Sequence, residues 1–323
     1  SSGQLNITNM KKILLLIAVM LFITTSVIAQ KPSTEINQTR ATVTSVGTGD
    51  WDAGGTWDTG SEPTSSDDVV IASGHTVTQN DTGGVSVNTG TIPSKTIRET
   101  VLNLTGFRER NFYEKKLRKA KLKEIYGRLA LTQRREIEVL KNQFSKNNVE
   151  IINGRASFLD RNTIAIEKVE GGNLVTKANK FVVAVGTQCF RPDNIDFDGK
   201  YVCDSDQILS VQKIPESIVV IGAGVIGVEY ASILNVLGKR VTIVDPRENY
   251  LEFIDREIIH SFTKILSKRG VQFKLQRKLD KVESIQNDVV SLRLDNGEIL
   301  QTSMVLYAAG RIGATHRLNL ESC

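Results

Sequence analysis

The spacing of apolar and polar residues changes character along the chain, and each change predicts a different element. Behind Lys11 and Lys12 stands an unbroken apolar run of eleven residues, Ile13 to Ile23, followed by Thr24, Thr25, Ser26 and Ala29. A basic start, a short greasy core and small closing residues read as a secretory signal peptide over 10–29; the core falls short of the roughly 20 apolar residues that span a bilayer. Residues 1–9 are then an upstream remnant. Across 41–88, Thr42-Val43-Thr44, Val69-Val70-Ile71 and Thr76-Val77-Thr78 are short β-type runs set between Gly, Asp and Ser, which predicts short strands and tight turns. Residues 96–146, rich in Lys, Arg, Glu and Leu, predict one or two helices. Strands are expected at Val149–Ile152, Ala156–Leu159, Thr163–Glu167 and Lys180–Val185.

The most informative stretch begins at Ser217. Ser217 to Ile221 suits a buried parallel strand and runs directly into Gly222-Ala223-Gly224-Val225-Ile226-Gly227. A helical segment from Val228 to Leu237, a break at Gly238, a strand from Arg240 to Val244 and Asp245, 23 positions after Gly222, complete a dinucleotide-binding βαβ pattern. In that pattern Gly222 allows the tight turn, Gly224 lets backbone approach a diphosphate, and Gly227 lets helix pack on strand. Asp245 is expected to accept hydrogen bonds from the adenosine ribose. A 2′-phosphate about 4 Å from that carboxylate is repelled at an effective dielectric of about 20, which favours NAD over NADP, with Arg247 offsetting part of the penalty. A helix over Asp255–Arg269, a strand over Val271–Leu275, a hairpin around Asn296-Gly297 and a last strand from Met304 to Arg311 close this domain, about 211–315.

Bulk composition, 40% hydrophobic and 24% charged, excludes little. The distribution of charge says more: residues 1–90 hold 4 Lys/Arg against 8 Asp/Glu and the remainder 37 against 28, so the net +5 is −4 and +9. Both tryptophans, Trp51 and Trp57, fall in the first part and all three cysteines in the second. Two unrelated sequences joined near 88–90 explain that asymmetry. Cys189, Cys203 and Cys323 contain no CxxC pair or zinc spacing, so no metal site is expected and reduced thiols are. The basic stretch Arg108–Arg135, with eleven Lys/Arg, three Asp/Glu and few aromatics, reads as a solvated helical face and not as a nucleic-acid site.

Several of these strings carry resemblances. Gly49-Asp50-Trp51, Thr56-Trp57, Asp67-Asp68-Val69-Val70-Ile71 and Gly74-His75-Thr76-Val77 resemble the opening coil of secreted bacterial β-solenoid surface proteins. Gly90-Thr91-Ile92-Pro93-Ser94-Lys95, Val183-Ala184-Val185-Gly186-Thr187, the glycine turn with Glu229-Tyr230-Ala231-Ser232, and Ala309-Gly310-Arg311 resemble signatures of the two-dinucleotide flavoprotein disulfide-reductase family. Disulfide-reducing members carry a redox cysteine where this chain has Thr91; the transhydrogenase branch carries Thr. The resemblance implies hydride transfer between NAD(H) and NADP(H) by way of FAD, with Lys95 beside the flavin and paired to Glu229. It also implies cofactor contacts at Thr91, Gly186, Gly310 and Arg311.

The resulting expectation is an α/β chain: a Rossmann-like NAD(P)-binding domain (211–315) inserted in a truncated FAD-binding domain (90–210, returning at 316–323), preceded by the signal peptide and a β-rich fragment (41–88). The family's first GxGxxG strand is not in the sequence, nor are its second Gly-Asp motif and its dimerisation domain, and Ala314 stands where the branch has Asn. A partial enzyme is therefore expected, with nicotinamide dinucleotides as partners, no family homodimer contact and no membrane anchor in the mature chain. A signal peptide directs export, whereas nicotinamide pools and free thiols belong to the cytoplasm, so the two parts conflict in localisation. The alternative reading is an exported surface-binding protein with the enzyme-like part as passenger.

Overall fold

A computed structural model describes residues 82–109 and 121–323, together with the short strands β1 (Thr42–Thr44), β2 (Asp68–Val70) and β3 (Thr76–Gln79). The apolar run 13–23, both tryptophans and His75 lie outside the described residues. β1 and β2 pair in parallel. Two helices follow, α1 (Gly84–Asn88) and α2 (Thr91–Leu104), and then the long α3 (Leu122–Lys146). Of α3 only Ile125 and Leu129 are buried, while Lys123, Arg128, Arg134 and Arg135 face solvent.

An antiparallel unit of β4 (Glu150–Asp160), β5 (Thr163–Lys168) and β6 (Asn173–Lys177) comes next. Two strands expected at 149–159 are one continuous strand. Its second half pairs with β5 from Gly154 onward, with the Asn153 carbonyl also accepting the Val169 N–H at 3.0 Å, and its first half runs on past the end of β5. β3 fills that place in parallel, Thr76 opposite Glu150 and Gln79 opposite Asn153. The 76–79 run, read above as part of a separate β-rich fragment, therefore extends the sheet of the segment that follows, because buried ladder groups need partners.

The strand expected at Lys180–Val185 is absent. Those residues pair with no strand among the described residues, and Val182, Val183 and Val185 are exposed, Val182 at 91%. A continuous apolar run, Phe181 to Val185, was the only local signal for it, and a strand needs a neighbour to satisfy its ladder. The chain becomes extended and paired only at β7 (Thr187–Cys189).

The centre of the molecule is an all-parallel sheet built from β8 (Val202–Asp204), β9 (Ser217–Ile221), β10 (Arg240–Asp245), β11 (Gln272–Leu275) and β15 (Met304–Tyr307) in the order β11-β10-β9-β15-β8. Helices α4 (Val225–Val236) and α5 (Arg256–Lys268) are its crossovers. Ile218, Val220, Val241, Ile243, Met304 and Leu306 point to the helical side with α2, α3, α4 and α5. Val219, Ile221, Val244 and Val305 point to the other side, against Val290, Leu292 and Leu294 of an antiparallel sheet, β12 (Leu279–Gln286), β13 (Val289–Leu294) and β14 (Ile299–Thr302). Strands covered on both faces read as continuous apolar runs, which is why they were legible locally. Each fully buried aliphatic side chain contributes about 1.5–3 kcal/mol to this sandwich. Asp255 caps α5, its carboxylate accepting from the N–H groups of Glu257 at 2.9 Å and Ile258 at 3.4 Å. A short ribbon of β7 with β16 (Arg311–Gly313) lies beside the parallel sheet.

Candidate functional site

β9 delivers the chain to the glycine turn at the carboxyl end of the parallel sheet, and each glycine there has its own surroundings. Gly222 has φ +105°, and a Cβ added to it would lie 2.6 Å from the Ala308 carbonyl oxygen, so both conformation and space exclude a side chain. At Gly227 a Cβ would meet the Gly222 carbonyl oxygen at 1.9 Å; helix and turn touch through bare backbone. Gly224 differs: φ is −73°, ψ is −179°, and no atom lies within 4 Å of the place a Cβ would take. α4 starts on the next residue with no side-chain cap, so its leading N–H groups and the positive end of its dipole face open space. That combination suits an anion.

Asp245, at the end of β10, is nearly fully buried beneath the turn. Its Oδ2 accepts the Ala223 N–H at 2.6 Å and Arg247 Nη2 at 2.8 Å; its Oδ1 accepts the Arg247 main-chain N–H at 2.9 Å and Nε at 2.8 Å. Four donors fill the roughly four lone-pair sites of a carboxylate. In this arrangement the acceptors of Asp245 are taken up by the turn and by Arg247. Burial pushes this carboxyl upward, but the Arg247 guanidinium and the Ala223 and Arg247 amides outweigh it and hold the group below the ordinary aspartate value. A bare carboxylate is thus not what a 2′-phosphate would meet.

Lys95 on α2 and Glu229 on α4 are brought together, Nζ donating to Oε1 at 2.6 Å. Ile97 and Val101 of α2 are buried in the same core as Val228, Ala231 and Ile233 of α4, and that packing sets the distance. The lysine side chain is 34% exposed and the glutamate 15%, so the ammonium keeps an open side. Thr91, the first residue of α2, is exposed; its carbonyl accepts the Ser94 hydroxyl at 3.3 Å.

Gly186, Gly310 and Arg311 gather at the β7–β16 ribbon. The Gly186 carbonyl accepts the Ala314 N–H at 3.0 Å, and the Gly310 carbonyl accepts the Phe190 N–H at 3.1 Å. Arg311 is committed within the protein: Nη1 donates to Asp206 Oδ1 at 2.9 Å and contacts Cys189 Sγ at 3.2 Å, while Nε and Nη2 reach the Thr187 hydroxyl and carbonyl at 2.9 and 3.0 Å. Nη2 also reaches Asp206 Oδ2 at 3.2 Å. Those bonds engage every N–H of the guanidinium within the protein. Its task here is to tie the ribbon to the segment after β8.

Sequence reasoning gave no role to Asp204, Ser205, Asp206 and Arg191. Arg191 pairs with the buried Asp204 at 2.6 Å and stacks over Phe197. The Asp204-Ser205-Asp206 string is among the family-like strings of the sequence, but its partners come from distant strands and leave no local signal. Burial pushes the Cys203 thiol up to about 12 and raises Cys189 as well. An apolar cavity of about 50 Å³, lined by Ile97, Ile125, Tyr126, Ile208, Tyr230 and Ile233, is too small for a dinucleotide and lies away from the glycine turn. Among the described residues no cluster of His, Cys, Asp or Glu is placed to hold a metal.

Comparison with known proteins agrees with this geometry. The soluble pyridine nucleotide transhydrogenase of Mycobacterium bovis is 39% identical over 244 residues, 74% of this chain and 52% of that protein. That of Colwellia psychrerythraea is 35% identical over 240 residues, 74% and 51%. The chain therefore spans about half the length of the curated relatives it matches. Among solved structures, LpdA of Mycobacterium tuberculosis superposes with a TM-score of 0.70 at 22% identity, covering 79% of this chain and 55% of that one. The HOCl-induced flavoprotein disulfide reductase RclA of Escherichia coli gives 0.65 at 23%, covering 79% and 54%. The family model for pyridine nucleotide-disulphide oxidoreductases matches residues 66–322, starting upstream of the 88–90 boundary read in the sequence, and the chain belongs to that family.

Proposed function

We propose that this chain carries the nicotinamide-nucleotide site, and part of the flavin site, of a transhydrogenase-type oxidoreductase in which hydride passes between NAD(H) and NADP(H) by way of FAD. The observation that carries the reading is the contrast among the three glycines: two are closed off by backbone, and Gly224 alone looks onto open space in front of an uncapped helix. A diphosphate fits there because it brings the negative charge and acceptor oxygens that α4 lacks. The similarity to transhydrogenases supports the reaction type.

FAD, when bound, supplies the ring that takes up and returns the hydride. The chain's own residues have simpler duties. Lys95 presents a positive charge, its Nζ donating to Glu229, and that charge favours an anionic neighbour. Glu229 keeps the ammonium positioned and limits the cost of its partial burial. Thr91, Gly186 and Gly310 are exposed and are proposed to line the same cofactor. A reducing, cytoplasmic setting belongs to this proposal; Cys189, Cys203 and Cys323 are free thiols, as proteins of such compartments keep them.

The test is to purify the full chain, titrate it with NADH by fluorescence, and assay NADH-dependent dye reduction after incubation with FAD. Saturable NADH binding and a yellow, active protein are expected. A colourless protein with no NADH affinity removes the enzyme reading and leaves the surface-binding alternative.

A further inference from the structure

We infer that the cavity between α2, α3 and α4 binds a small neutral oxygen compound of the short-chain alcohol class, its oxygen bonded to the Tyr230 hydroxyl and its carbons packed on isoleucine. The cavity lies away from the glycine turn, so the inference stands whether or not a dinucleotide binds there.

Two observations meet at Tyr230. Its side chain lines the cavity, and its hydroxyl oxygen is buried without a hydrogen-bond partner, in a residue only 5% exposed. Nearly all buried polar side-chain atoms in folded proteins have a partner, and an unmet one is destabilising. Burial pushes this phenol upward, so it keeps its proton and donates. The surroundings define what can answer it. Of the side chains around the cavity only those of Tyr126 and Tyr230 are polar, and the Tyr126 hydroxyl already donates to the Ile208 carbonyl at 3.2 Å. A phosphate, a carboxylate or a metal ion would find no counter-charge on these walls. A buried water makes about three hydrogen bonds, and apolar walls are poor in such partners. A molecule with one oxygen and a few carbons needs a single bond and covers Ile97, Ile125, Ile208 and Ile233. Size sets the upper limit. An engineered apolar cavity of about 150 Å³ takes up benzene; this one, at about 50 Å³, has room for about two to four heavy atoms. Among the described residues, a surface depression of about 340 Å³ shares Leu122, Tyr126 and Val211 with the cavity and marks the side of entry.

The experiment is a titration of the full chain, labelled with ¹³C at its isoleucine methyl groups, with propan-1-ol by NMR. The signals of Ile97, Ile125, Ile208 and Ile233 are expected to shift saturably with a dissociation constant of about 1–10 mM, the scale open to about four heavy atoms. The exposed Ile285 and Ile299 should show only a linear solvent drift. Tyr230→Phe keeps the ring and removes the hydroxyl. Because that hydroxyl has no partner to lose, the melting temperature is expected to hold or rise. Propan-1-ol should bind this variant about 2- to 10-fold more weakly, whereas xenon, which needs no hydrogen bond, should shift the same methyl signals equally in both proteins. Linear drift at every isoleucine overturns the inference, as does equal propan-1-ol affinity in Tyr230→Phe. A lower melting temperature of Tyr230→Phe also overturns it, since the hydroxyl then has a partner within the protein. So does a long-lived water beside the Tyr230 ring that propan-1-ol does not displace.

Discussion

Gly224→Ala and Gly227→Ala, two changes of one methyl group three residues apart, should fail in opposite ways. At Gly227 the new Cβ would start 1.9 Å from the Gly222 carbonyl oxygen. Bringing that contact to 3.0 Å requires backbone to part by about 1.1 Å, and α4 buries Val228, Tyr230, Ala231, Ile233, Leu234 and Val236. Overpacking costs about 1–3 kcal/mol, and a clash between two backbones belongs at the upper end. For a domain of about 100 residues, 3 kcal/mol lowers the melting temperature by about 10–25 °C. At Gly224 the methyl group enters open space, and the φ of −73° is ordinary for alanine. Folding stability should hold or rise by about 0.4–1 kcal/mol, because the unfolded chain loses freedom. A diphosphate, however, must come within about 3 Å of the amides that follow. The added carbon displaces it, and losing one charge-assisted bond weakens NADH binding by about 10- to 150-fold. The assay is thermal denaturation beside NADH titration for both variants. Should Gly224→Ala bind NADH as the natural protein does, or melt as early as Gly227→Ala, the division of labour drawn here is wrong.

Three further outcomes are expected. Lys95→Ala should cost less than about 1 kcal/mol in stability, since the pair is partly exposed, yet lower NADH-dependent dye reduction by about 100-fold, as when a charge-stabilising group is removed; a loss below about threefold separates the pair from the chemistry. The Asp245 carboxyl is depressed in the folded state, so its contribution to stability is complete above the ordinary aspartate value of about 3.9 and disappears as pH falls through the lower folded value. The melting temperature should thus decline below about pH 4, and Asp245→Asn should flatten that acid limb; an unchanged limb contradicts the assignment. In native protein at pH 8, maleimide should label Cys323 quickly, Cys189 slowly and Cys203 not at all, because Cys203 is fully buried with a thiol near 12. Mass spectrometry that finds Cys203 modified before unfolding rules out the packing described for β8.

The strand Ser217–Ile221, the glycine turn, α4 and β10 were legible because their signals are local. A strand covered on both faces is apolar throughout, and the turn announces itself through glycines whose spacing is set by backbone geometry. The helix over Arg256–Lys268 was legible for the same reason, with Asp255 as its cap. The 180–185 segment misled because a short apolar run states only that a strand is possible, while a ladder requires a neighbour that local pattern does not contain. β3 misled in the other direction: it was read with the short β-type runs before it, yet its hydrogen bonds go to β4, which follows about 70 residues later.

By itself, then, the order of residues determined the βαβ unit and marked its glycines, since strand, turn and helix follow one another within some thirty positions, although the backbone that closes off Gly222 comes from Ala308. Tertiary structure alone decided which charges meet. Lys95 finds Glu229 across 134 positions, and Arg311 finds Asp206 across 105, because packed helices and paired strands set those distances. The same holds for Asp245, whose acidic character was plain from the sequence but whose partners were not. A carboxylate can serve a ligand, a turn or an arginine, and only the surrounding donors determine which.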